Sequence, residues 1–150
     1  MNDLVVDANV ALMLLFPESL SALAIALFRD AQRLGLRLIA PHILPVEVTN
    51  GIRRHMRRER LSLDEALAML EDFLIQPIDL ESDHDLHRRA LRLTEAHNLG
   101  AHDAHYVALA ERLGCAFWTS DERMLRAVAG RLPFVRWIGD YVSPPSGGTG

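Results

Sequence analysis

A three-layer α/β/α sandwich around a central parallel sheet of about five strands is the fold this sequence predicts. Short apolar, β-rich runs alternate with longer segments of helical period along the chain. The first run, Leu4-Val5-Val6, lacks polar alternation, as a strand covered by helices on both faces does. Strands separated by helices imply right-handed parallel crossovers, which build those covering layers.

Each element follows from local signals. A short helix is expected from Asn9 to Phe16, interrupted by Pro17, and a second from about Ser19 to Leu34, ended by Gly35. Arg37-Leu38-Ile39-Ala40 is the second strand. Pro45 suits the first turn of a helix carrying Glu47, Val48 and Ile52. Ser62-Leu63-Asp64-Glu65 is a capping box opening a helix through about Leu74. Ile75 to Leu80 is the third strand, weakened by Pro77. Helices follow from about Ser82 to His97 and from His102 to Leu113, the latter stopped by Gly114. Ala116-Phe117-Trp118 is the fourth strand, Asp121 to Ala129 a helix and Phe134 to Ile138 the fifth strand. Residues 1–142 are expected to form one domain, and 143–150, rich in Pro, Gly and Ser, a flexible C-terminal tail.

A chain of 150 residues with 49% apolar composition can bury about two-thirds of its unfolded surface. No apolar run reaches the roughly 18 residues that cross a bilayer, and no basic segment precedes Leu4-Val5-Val6 as in a signal peptide. The single cysteine, Cys115, has no internal disulfide partner and reads as a small core residue. The expectation is a soluble cytoplasmic protein without a membrane partner. The net charge of −4 argues against coating nucleic acid by charge alone. One stretch departs from that average: Arg53, Arg54, Arg57, Arg58 and Arg60, with His55, crowd a helix end. Cations there suit the helix dipole, so a solvated terminus and phosphate binding are both open readings.

Asp7, Glu47, Asp103 and Asp121 carry the chemistry. Asp7 follows the first strand, Asp121 follows the fourth after Thr119-Ser120, and Glu47 and Asp103 open helices. Singly, Asp7 and Asp121 suit helix caps, and Glu47 and Asp103 suit first-turn acids. Jointly, these positions lie along one edge of a parallel sheet, where distant residues converge. Clustered carboxylates repel, and a Mg²⁺ or Mn²⁺ ion, which prefers hard oxygen ligands, relieves that penalty. Asn9, Thr119 and Ser120 are placed to orient a carboxylate or a ligand water. Such a site suits phosphodiester hydrolysis, in which the ion activates water and stabilises charge on phosphate.

The segments Val5-Val6-Asp7-Ala8-Asn9-Val10-Ala11, Leu44-Pro45-Val46-Glu47-Val48, Asp103-Ala104-His105-Tyr106-Val107-Ala108-Leu109-Ala110 and Thr119-Ser120-Asp121-Glu122-Arg123 resemble, in order, the motifs of PIN-domain ribonucleases. The VapC-type toxins of bacterial toxin–antitoxin pairs are the most similar branch. The resemblance implies a Mg²⁺- or Mn²⁺-dependent endoribonuclease, often a homodimer, inhibited by a cognate antitoxin whose peptide enters the acidic groove. It assigns Asp7, Glu47, Asp103 and Asp121 to the metal site. Asn9 stands where the family commonly has a hydroxyl residue, and His102 is a less usual neighbour of Asp103.

His84 and His87, and His102 and His105, are each three residues apart, but zinc needs further ligands that no Cys–His spacing supplies. They read as surface or capping residues, with His102 and His105 the candidates for RNA contact. Trp118 and Trp137 read as core. An aspartyl phosphatase would want an acid in place of Asn9 and a later lysine, and a phosphorelay receiver also wants a lysine; the chain has none. No phosphate-binding GxxxxGK[ST] is present. The remaining rival is a catalytically silent PIN-like module that binds protein or RNA.

Overall fold

A computed structural model describes residues 3–145 of the chain. Its elements are β1 (Asp3–Val6), α1 (Ala8–Leu12), α2 (Ser21–Leu34), β2 (Arg37–Pro41), α3 (Leu44–Glu59), α4 (Leu63–Leu74), β3 (Ile78–Glu81), α5 (His84–His97), α6 (Ala101–Leu113), β4 (Ala116–Thr119), α7 (Glu122–Val128) and β5 (Val135–Trp137), with a 3₁₀ turn at Ile138–Asp140. The five strands form one parallel sheet in the order β3-β2-β1-β4-β5. The chain steps outward from β1 through β2 to β3, then crosses back to β4 and β5. Right-handed crossovers put α1–α4 on one face and α5–α7 on the other. The packing agrees: α1 lies against α2 and α3, α3 against α4, and α5 against α6.

The core lies on both sides of the central strands. Val5, Val6, Ile39 and Phe117 are fully buried, and the Tyr106 ring stacks on Phe117 with centroids 5.5 Å apart. Gly51 brings α3 close to α1, because a Cβ there would collide with the side chain of Leu12. That close approach matters for function, since α1 begins next to Asp7 and α3 carries Glu47.

Boundaries differ from expectation for local reasons. The first helix stops at Leu12, and α2 starts at Ser21, whose hydroxyl accepts a bond from the Glu18 amide at 2.9 Å. The third strand starts at Ile78, because Ile75 caps α4 through an N–H bond to Glu71 and Pro77 has no amide for a ladder. Ile138 turns out of the sheet instead of extending β5. Of the expected tail, 146–150 lie outside the described residues. Before them, the Tyr141 hydroxyl donates to the buried Asp30 at 2.7 Å, fastening the chain to α2. Hydrogen bonds from Ser143 and Tyr141 hold the Asp30 carboxyl below its ordinary range.

Candidate active site

The strand order reverses direction between β1 and β4. Open parallel sheets bind ligands beyond the carboxyl ends of the strands at such a point. Asp7 is the first residue after β1, Thr119 the last of β4, and the strands pair through Val6 and Trp118.

Asp7 is buried and uses both carboxylate oxygens. Oδ1 accepts the Val10 amide at 3.0 Å as the cap of α1, and Oδ2 accepts the Thr119 hydroxyl at 2.5 Å. Burial pushes its carboxyl up to about 7; the charges of Asp103 and Glu47 add to the rise, and the two hydrogen bonds oppose it. Thr119 is fully buried, and its oxygen also accepts the Asp121 amide at 3.0 Å, so one hydroxyl ties Asp7 to Asp121. Asp121 caps α7 by accepting the Met124 amide at 3.1 Å.

Glu47, in the first turn of α3, accepts the Tyr106 hydroxyl at 2.8 Å, and His102 Nδ1 lies 3.7 Å from its other oxygen. Burial, then the Glu47 charge, pushes the Tyr106 phenol far above its ordinary value, so Tyr106 remains a protonated donor. Asp103, in the first turn of α6, is raised by partial burial and then by Asp121 and Glu47, against the opposing charges of His102 and Arg123.

Asp103 therefore links the acids along this edge: its charge raises Asp7, and it is itself raised by Asp121 and Glu47. Glu47 lines a depression of about 420 Å³ with Asn9, Asn50, Arg54 and His102. Asp103 and Asp121 line another of about 170 Å³ with Asn98 and Arg123. Among the described residues, no three His, Cys, Asp or Glu side chains close into a ready-made metal cage. A larger depression of about 640 Å³ between α7 and β5, beside Trp118, Arg136 and Trp137, contains none of the four acids. Trp118 is buried there, with the Arg136 guanidinium 5.7 Å from its ring centre.

Thr119→Val is expected to destabilise the fold by about 1–3 kcal/mol, because it leaves an Asp7 oxygen and the Asp121 amide without their buried partner. It should also raise the Asp7 carboxyl further. Denaturant unfolding checks the first effect, and Thr119→Ser, which keeps the hydroxyl, should recover most of it.

A PIN-domain family model matches residues 4–130. The chain belongs to the PIN-domain family. It is 34% identical over 123 residues to Ribonuclease VapC3 of Pyrobaculum aerophilum, covering 81% of this chain and 91% of that one. It is also 34% identical over 121 residues to Ribonuclease VapC9 of Mycobacterium tuberculosis, covering 81% and 87%. The crystal structure of PAE2754 from Pyrobaculum aerophilum superposes with a TM-score of 0.65 at 22% identity over 91% of both chains, a likeness of fold.

Within this PIN domain the supporting residues divide. Thr119 bonds directly to an acid, whereas Asn9 is exposed and lines the Glu47 depression. Ser120 is half-buried and lines neither acidic depression. Arg53, Arg54, Arg57 and Arg58 are exposed on α3 and take part in no ion pair among the described residues; of the four, Arg54 lines the Glu47 depression. His55 of the same stretch is structural: its ring stacks on Phe16 at 3.7 Å and its Nδ1 meets Glu59 at 3.2 Å. Tyr106 was given no role by the sequence. Its place three residues after Asp103 puts both on one helix face, which is the signal that would have found it.

Proposed function

We propose that this PIN-domain protein is a Mg²⁺- or Mn²⁺-dependent endoribonuclease and the toxin of a toxin–antitoxin pair. The observation that carries the reading is the set of four carboxylates at the carboxyl edge around the β1/β4 switch point, with Asp103 acted on by Glu47 and Asp121, and Asp7 by Asp103 and Glu47. The ribonuclease names of the relatives support the substrate class. The donor set fits a hard divalent cation: it is all oxygen, and Asp7 holds its proton up to about pH 7 unless a positive charge compensates its burial. Asp7, Glu47, Asp103 and Asp121 would hold the ion, which when bound supplies water activation and charge stabilisation on the phosphate.

The chain's own residues set the geometry. Thr119 fixes Asp7 relative to Asp121, and Tyr106 holds Glu47 in place. Arg54, which lines the same depression as Glu47, would neutralise phosphate. The proposed partners are RNA, a cognate antitoxin whose peptide lies in the acidic groove, and a second copy of the chain in a homodimer. The proposed location is the cytoplasm; among the described residues no helix is long and apolar enough to cross a membrane.

Purified protein incubated with diverse structured RNAs is expected to cut internally with Mg²⁺ or Mn²⁺ and to stop with EDTA. RNA binding without cleavage under both ions would establish the silent module instead. Reversing the charge of Arg53, Arg54, Arg57 and Arg58 to Glu should weaken RNA binding and lower the slope of log affinity against log salt by up to about 3–4. An unchanged slope would return the cluster to solvated surface.

A further inference from the structure

A further cavity, of about 390 Å³, opens at the same carboxyl edge of the sheet, lined by His42, Ile43, Ser82, His87, His102 and His105. His42 follows β2, Ser82 follows β3, His87 lies on α5, and His102 and His105 lie on α6. His102 also lines the Glu47 depression, so the cavity and the acidic rim meet at that residue.

The histidines form an ordered array. His105 Nδ1 lies 2.6 Å from the Ala101 carbonyl oxygen, which only accepts, so this nitrogen carries a proton. In the neutral ring, Nε2 is then an acceptor, and at 2.8 Å it must receive the N–H of His87 Nδ1. His87 Nε2 is left to accept from the Ser82 hydroxyl at 3.3 Å. His42 Nε2 similarly donates to the Leu80 carbonyl at 3.2 Å. These bonds fix tautomer and ring orientation together. The His87 and His105 nitrogens are committed to one another, to the Ser82 hydroxyl and to the Ala101 carbonyl, whereas His42 uses Nε2 alone; no group of three side chains able to hold a metal such as zinc occurs among the described residues.

What remains is a pocket walled by imidazoles and an isoleucine, next to the place where RNA phosphate would sit. Proteins read single-stranded RNA by splaying out bases, stacking them on aromatic rings that include histidine, and bonding to their edges. We propose that this cavity takes one unstacked base of the RNA, adjacent to the phosphate at the acidic rim, and sets a sequence preference at that nucleotide. This rests on the ribonuclease reading, and it makes His42 and His87 specificity residues.

Two measurements on the full chain test it. Ribonucleoside 5′-monophosphates, titrated while the imidazole ring protons are followed by NMR, should shift the His42, His87 and His105 signals, with one base binding best. Ser82→Trp, an exposed position that would plug the cavity, should weaken that binding at least about tenfold. Sequencing of cleavage ends should show a base preference beside the cut, and His42→Ala and His87→Ala should broaden it, raising KM more than they lower kcat. Absence of imidazole shifts at millimolar nucleotide, or equal shifts in Ser82→Trp, would overturn the pocket even if RNA is cut. A preference unchanged in both alanine variants would overturn its role in specificity. If the protein cuts no RNA, the ribonuclease reading fails while the titration still decides the cavity.

Discussion

Replacing Asp121 by Asn is expected to lower RNA cleavage by about 100- to 1,000-fold while changing stability by no more than about 0.5 kcal/mol. The two effects separate because Asp121 has two duties. Its Oδ1 accepts the Met124 amide at the start of α7, and Asn performs this as well as Asp. Its charge acts on the rim, where it raises the proton affinity of Asp103. Asn removes that charge and keeps the cap, so Asp103 should titrate closer to its ordinary value. Asp121→Ala removes both and should additionally lose about 0.5–2 kcal/mol of stability. Single-turnover cleavage paired with denaturant unfolding resolves the cases. Activity within a few-fold of the parent in Asp121→Asn would make the residue a cap alone.

The fold was legible because its signals are local. Gly35 and Gly114 adopt the left-handed conformation that ends α2 and α6, and Ser62 and Glu65 complete the capping box in both directions. The Asp7, Glu47, Asp103 and Asp121 set was legible for a different reason. Each lies at an element boundary, and alternating strands and helices send those boundaries to one edge. Capping a helix and reaching across the sheet, which compete in a linear reading, coexist because a carboxylate has two oxygens: Asp7 accepts from Val10 with one and from Thr119 with the other. Contacts that depend on packing across the sheet were not legible. Tyr106 meets Glu47 across 59 positions, and His87 meets His105 across 18. Spacing could place Tyr106 on the helix face of Asp103, but neither partner, Glu47 or His87, could be read from it. Pro77 was visible as a strand breaker, yet the sequence could not say that α4 would claim Ile75 first.

Without divalent ions, the protein is expected to lose stability as the pH rises from about 4 to about 7, and Mg²⁺ is expected to restore it. Asp7 has its carboxyl raised from 3.8 to about 7, so the folded state holds its proton more tightly than the unfolded chain. That contribution is complete below the unfolded value and disappears as the pH passes through the folded value. One pKa unit corresponds to 1.36 kcal/mol, which bounds the loss at about 4 kcal/mol. Asp103 acts in the same direction. Asp83 and Glu111 act oppositely: hydrogen bonds from Arg112 and Arg89 hold their carboxyls low, so their contributions fade only as the pH falls below about 4. Metal-free stability should therefore peak on the acid side of neutrality. A cation binding the ionised Asp7 must displace its proton, so apparent Mg²⁺ affinity should fall about tenfold per pH unit below 7 and level off above it. Calorimetry in buffers of different ionisation enthalpy should count about one proton released near pH 6, and Asp7→Asn should remove that proton and the larger part of the stability loss towards neutral pH, leaving the part due to Asp103. A melting temperature that stays flat from pH 5 to 8 without metal would show that the buried Asp7 carboxyl does not link the site to the fold.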